Sequence, residues 1–206
     1  GAGQKIEMGN SKLGGVDLVG IGSAGGTLIY SRTDDDSGAD HWFEVPFDGG
    51  EAKEILDDVE VERRFFDRRS GRFIGYTVSG DVPAYHFFDA RQQKIMNATL
   101  KAFSGYVVTL VDWDDAFDRL IVMTEGRDDP QRWWLVDIKT GHAQPIGQSY
   151  VVPAAEVGPV KMVRYKAGDG TEIAGVLTLP PGRAPKNLPV VIFPHGGATH
   201  HDTLGF

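Results

Sequence analysis

The sequence predicts a mainly β chain: a partial β-propeller of about three four-stranded blades, followed by the first strands of an α/β domain. Three observations predict it. Strand-like segments recur about every 45 residues, breakers are dense, and the patterning changes after Pro159. The 206 residues include 27 glycines and 11 prolines, which favours many short strands over long helices. Leu28, Phe73 and Leu120 lie 45 and 47 residues apart, and Trp42, Tyr85 and Trp134 lie 43 and 49 apart. A period of this length with about four short strands per unit is the signature of a propeller blade.

The first unit runs through G-T-L-I-Y-S (26–31) and H-W-F-E-V-P-F (41–47) to the turn D-G-G-E. The second opens with V-E-V-E-R-R-F-F-D, turns at R-R-S-G-R, and continues with F-I-G-Y-T-V and A-Y-H-F-F-D. Its fourth strand is expected at I-M-N-A-T-L (95–100). Apolar residues at 95, 96, 100 and 103 would also suit a helix, but the repeat register places a strand there. The third unit parses as Y-V-V-T-L-V-D-W-D, R-L-I-V-M-T-E, R-W-W-L-V-D-I and A-Q-P-I-G-Q. These segments are rich in β-branched and aromatic residues, with Gly, Asp, Ser and Pro at the breaks.

Beyond Pro159, V-K-M-V-R-Y-K-A, the turn G-D-G and T-E-I-A-G-V-L-T-L-P read as an alternating hairpin. A Pro/Gly/Lys connector (180–187) leads to L-P-V-V-I-F-P, an apolar run that suits a strand buried on both faces of an α/β sheet. The domain boundary is therefore expected near residue 158, giving segments 1–158 and 159–206.

Composition narrows the function. A net charge of −8, from 21 Lys and Arg against 29 Asp and Glu, makes a nucleic-acid partner unexpected. There is no run of about eighteen apolar residues, so no membrane-spanning helix is expected. Without cysteine there is no disulfide, thiolate metal site or cysteine nucleophile. The chain opens at Gly1 with neither an initiator methionine nor a secretory pattern, as expected of an excised piece.

The segment richest in chemistry is P-V-V-I-F-P-H-G-G-A (189–198). A strand delivering a Gly-Gly turn can aim backbone N–H groups at a ligand, because no Cβ blocks the approach. In α/β-hydrolases a loop of this type supplies one oxyanion-hole donor. The run Y-K-A-G-D-G-T-E-I-A-G-V-L-T-L-P-P-G, then L-P-V-V-I-F-P-H-G-G, then D-x-x-G-F (202–206) resembles the opening of the peptidase domain in the prolyl oligopeptidase family. The nearest branch looks like the acylaminoacyl peptidases and dipeptidyl aminopeptidases.

That resemblance implies a propeller followed by an α/β-hydrolase domain, with short peptides as substrates and no cofactor or metal. It implies that Gly197 offers the oxyanion N–H, with Gly196 and His195 shaping the turn. Ala198 and His201 stand where the family usually has Pro and Arg. The nucleophile elbow G-x-S-x-G is missing: Ser23 has Gly25 after it but Ile21 before it, and no other serine fits. The Ser-Asp-His set of such a peptidase would lie beyond this chain, so the chain is expected to be an inactive fragment. With blade faces uncovered, it is expected to self-associate. The rival reading is a non-catalytic propeller that binds a protein or ligand.

Four other patterns read as structural. Gly20, Gly22 and Gly25 spell G-x-G-x-x-G, but the strand-like T-L-I-Y-S-R-T follows where a dinucleotide site needs a helix. His195, His200, His201 and Asp202 suggest a solvated loop more than a metal site, since adjacent histidines diverge. Asp34, Asp35, Asp36 and Asp40 lack the Gly and Glu placement of an EF-hand and read as a turn. Trp113, Trp133 and Trp134 fit inter-blade packing better than a stacking platform.

Overall fold

The fold grows from antiparallel pairing between strands close in sequence. The computed structural model describes residues 16–34, 36–57, 59–80, 82–126, 129–194, 196, 202, 204 and 205. A four-stranded sheet has the order β1 (Val16–Ile21), β2 (Thr27–Thr33), β3 (Asp40–Pro46), β4 (Lys53–Ile55). A three-stranded sheet follows, with β5 (Val61–Phe66), β6 (Phe73–Val78) and β7 (Ala84–Phe87). The helix α1 (Ala90–Ala102) leads to a second four-stranded sheet of β8 (Val107–Trp113), β9 (Arg119–Gly126), β10 (Asp129–Asp137) and β11 (His142–Gln148). A hairpin of β12 (Val160–Lys166) and β13 (Glu172–Thr178) completes the described strands. The chain is thus mainly β, with several antiparallel sheets. It divides into two compact units, one of residues up to 79 with 84–93, the other of 80–83 with 94 onward.

One local rule builds three of the turns. Asp34, Asp67 and Asp137 each begin D-x-x-[S/T]-G, and each Oδ1 accepts the N–H of the Ser or Thr three residues on, at 2.7, 2.7 and 2.9 Å. The glycine N–H then donates to the aspartate carbonyl, and Gly38, Gly71 and Gly141 take φ of 72, 68 and 70°. That left-handed geometry reverses the strand, and only glycine adopts it freely.

In the first unit, Trp42 and Phe73 are 1 % and 0 % exposed and stack with centroids 6.0 Å apart. The Arg64 guanidinium lies 5.1 Å above the Trp42 ring and is bonded to Asp17 at 3.0 Å. In the second unit β9 alternates strictly, burying Leu120, Val122 and Thr124. Removing each such apolar side chain from water contributes about 1.5–3 kcal/mol. Thr124 is also a polar joint: its Oγ1 accepts from Trp134 Nε1 at 2.8 Å and donates to the buried Asp129 at 2.5 Å.

Two expectations are corrected. The strand placed at 95–100 is part of α1. Asp89 caps the helix, its Oδ1 accepting the Gln92 N–H at 2.9 Å, and A-R-Q-Q-K is a run of strong helix formers. Ile95, Met96 and Thr99 form its buried stripe, so the helical spacing outweighs the repeat register. The blade expected to have four strands therefore has three. The run 188–194 is not a buried strand either: it carries no strand, and Val190, Val191, Ile192 and Phe193 are 81–87 % exposed. A strand apolar on both faces needs neighbours on both edges. Among the described residues beyond 158, only β12 and β13 pair, and they pair with each other.

Candidate functional site

The approach to the glycine turn begins at β12–β13, seven cross-strand pairs from Val160↔Thr178 to Lys166↔Glu172 without a bulge. Its turn closes through Ala167 N–H to Thr171 C=O and Gly170 N–H to Ala167 C=O, both at 2.9 Å, with Gly170 at φ 89°. Asp169 accepts the Thr171 N–H at 2.9 Å, and that bond, foremost, holds its carboxyl below the usual range. At the hairpin base, a Cβ on Gly158 would stand 2.0 Å from the Leu179 carbonyl oxygen, so the two chains meet only because the side chain is absent.

Of the candidate oxyanion residues, His195 and Gly197 lie outside the described residues, as do His200 and His201. Gly196 is exposed, and a Cβ built on it meets nothing within 4 Å. Asp202 is exposed as well. The last described residues do make a close contact. A Cβ on Gly126 (φ 93°) would lie 2.8 Å from the Leu204 carbonyl oxygen, and one on Gly205 would lie 3.0 Å from the Glu125 carboxylate. Leu204 also lines a cavity of about 330 Å³ with Val82, Pro83, Leu100, Tyr106 and Val160. The Gly126–Leu204 approach was not legible from the sequence; a glycine ending an otherwise regular strand was its one signal.

A second cavity, of about 470 Å³, brings Ser37, His41 and Glu54 together with Asp40, Asp57 and Glu60. His41 Nδ1 is 2.7 Å from Glu54 Oε1, and that hydrogen bond chiefly raises the imidazole pKa above 6.5. The trio has the residue types of a hydrolytic triad but not its wiring. Ser37 Oγ donates to Asp34 at 2.8 Å, which sequesters the hydroxyl in a turn. Hydrogen bonds from Ser37, its backbone N–H first, hold Asp34 below its ordinary pKa.

The remaining patterns have plain local roles. Gly20, Gly22 and Gly25 lie in β1 and the turn to β2, so a strand, not a helix, follows them. A Cβ on Gly22 would collide with Thr27 and Glu44. Asp40 accepts from Thr33 at 2.7 Å. Trp133 donates to Ser149 at 3.2 Å, Trp134 packs on Phe103 at 5.2 Å, and Trp113 on Phe117 at 5.9 Å. Among the described residues no group of three or more His, Asp or Glu could hold a metal, and no helix is long and apolar enough to cross a membrane.

No family model matches the chain, and no curated protein matches it. Among solved structures, one from a structural and mechanistic study of two prolyl endopeptidases is similar over 80 % of this chain and 24 % of its own. The TM-score is 0.44 and the identity 14 %.

Proposed function

We propose that this chain is the junction of a prolyl oligopeptidase-type serine peptidase, carrying the end of a β-propeller and the start of an α/β-hydrolase domain. The observation that supports it most is residues 160–206 as a unit. The hairpin with its G-D-G turn, the Pro-rich connector and the apolar run into H-G-G follow the order of that peptidase domain's opening. The repeated antiparallel sheets upstream suit propeller blades.

In this reading the intact protein cleaves short peptides, of the acylaminoacyl or dipeptidyl kind, by acyl transfer to a serine. As the serine attacks, charge develops on the substrate carbonyl oxygen, and the Gly197 N–H stabilises it while Gly196 and His195 shape the turn. Water then hydrolyses the acyl-enzyme. The 206 residues hold no G-x-S-x-G, so this chain alone does not turn over.

The test extends the reading frame past Phe206. The reading expects G-x-S-x-G, then Asp, then His. The longer protein should react with a serine-directed fluorophosphonate and hydrolyse chromogenic dipeptides, while the 206-residue chain does neither. Replacing Gly197 by proline in the longer protein removes the donor and should lower kcat by about 10²–10³. A frame without the elbow, or stoichiometric labelling of the short chain, overturns the proposal; the former supports a binding propeller instead.

A further inference from the structure

β7 is an edge strand among the described residues. Phe88 N–H donates to Ile74 C=O at 3.0 Å, so by alternation Ala84 and His86 face β6 while Tyr85 and Phe87 turn their backbone groups outward. Such an edge is a template for another strand unless something blunts it. The other edges of the three larger sheets carry their own defences. β1, β5 and β8 each combine charge with a bulged ladder, β4 is three residues long with Lys53 and Glu54, and β11 contains Pro145. β7 itself has no such defence: A-Y-H-F contains no Pro, Lys, Arg, Asp or Glu, and its ladder with β6 has no bulge.

Two of the four outward groups are met by one side chain. Phe87 N–H donates to Gln93 Oε1 at 2.6 Å, and Gln93 Nε2 donates to Tyr85 C=O at 3.1 Å. A carboxamide has the acceptor and donor of a peptide unit, so Gln93, from the first turn of α1, fills two ladder positions of a further strand. We propose that Gln93 is an edge guard that stops β7 from pairing with β7 of a second copy. The second copy is the matching occupant because two β7 edges, antiparallel about a two-fold at His86, exchange the Tyr85 and Phe87 bonds reciprocally and oppose no like charges. The device does not depend on the peptidase reading.

The absence of native cysteine gives a clean test. In the dimer that the guard prevents, His86 would face its own copy as a non-hydrogen-bonded pair with Cα atoms about 4.5 Å apart, within disulfide reach. Under mild oxidation, H86C alone should stay largely uncrosslinked. H86C with Q93L, which loses both bonds, should raise crosslinked dimer roughly tenfold, the shift expected from about one net hydrogen bond. H86C with Q93E, which can accept from Phe87 but not donate to Tyr85, should fall between. Equal crosslinking in all three, or association that Q93L increases without the 86–86 link, overturns the proposal. If Q93L does not fold, amide exchange in the unmutated chain decides: the Phe87 amide must be protected, and fast exchange refutes the guard.

Discussion

The sheets β5–β7 and β8–β11 reach the end of their third strand in the same way and then part. Asp89 after β7 and Asp137 at the end of β10 both accept the N–H of the residue three further on, at 2.9 Å in each case. Both carbonyls then accept the N–H of the fifth residue, again at 2.9 Å. Up to that point a helix N-terminus and a hairpin turn are the same object. The fifth residue separates them. Gly141 takes φ 70° and sends the chain back as β11, whereas Gln93 stays right-handed and the chain continues as α1. Pro145 would in any case stop a helix after Asp137, while nothing after Asp89 does. One backbone angle at one residue thus chooses between a fourth strand and a helix.

The largest effects test whether the two sheets have separate cores. Phe73→Ala on β6 and Leu120→Ala on β9 each remove a side chain that is 0 % exposed. Losses of about 3–5 kcal/mol for Phe73 and about 2–5 kcal/mol for Leu120 are expected. Urea unfolding, followed by probes placed in each unit, should show each substitution lowering chiefly its own unit's midpoint. Equal lowering of both by either substitution would mean one cooperative core.

Exchanging the fifth residues breaks the comparison at its origin. Gly141→Gln forces a side chain into left-handed backbone, at about 1–2 kcal/mol. Gln93→Gly weakens the first turn of α1 by about 1 kcal/mol and removes the β7 contacts, so helical circular dichroism should fall. A Gly141→Gln chain with unchanged stability would refute the account of the turn.

The smallest effects are electrostatic. The Thr140 backbone N–H chiefly lowers the Asp137 carboxyl, and the Ser70 hydroxyl chiefly lowers that of Asp67. Groups lowered by folding contribute stability above their unfolded pKa and lose it as pH falls through the folded value. These hairpin turns should therefore loosen in acid, and Asp137→Asn should abolish that part of the dependence. His41 runs the other way. Its raised pKa means that the Glu54 pair contributes below the unfolded pKa and is lost as pH rises through the folded one. Carboxyl and imidazole NMR titrations read both directions, and ordinary values at Asp137 or His41 would remove the effect.

Much of this is legible in the sequence alone. The alternation in R-L-I-V-M-T-E, the D-x-x-[S/T]-G turns and the G-D-G hairpin are encoded by residues within about five positions of each other. α1 was legible too, in the helical spacing of the apolar residues at 95, 96, 100 and 103; the repeat register masked it. The glycine turn was legible as a motif because H-G-G is local sequence, whereas what surrounds a donor is set by distant segments, and Gly196 stands in open surroundings.

By itself the sequence determined how the paired strands alternate and how they reverse, since turn hydrogen bonds and side-chain alternation are short-range. Tertiary structure alone decided that Gln93 covers the β7 edge, that Thr124 joins Trp134 to Asp129, and that Leu204 settles on Gly126. Those contacts depend on where separate segments arrive in space, and the same residue types would be silent anywhere else.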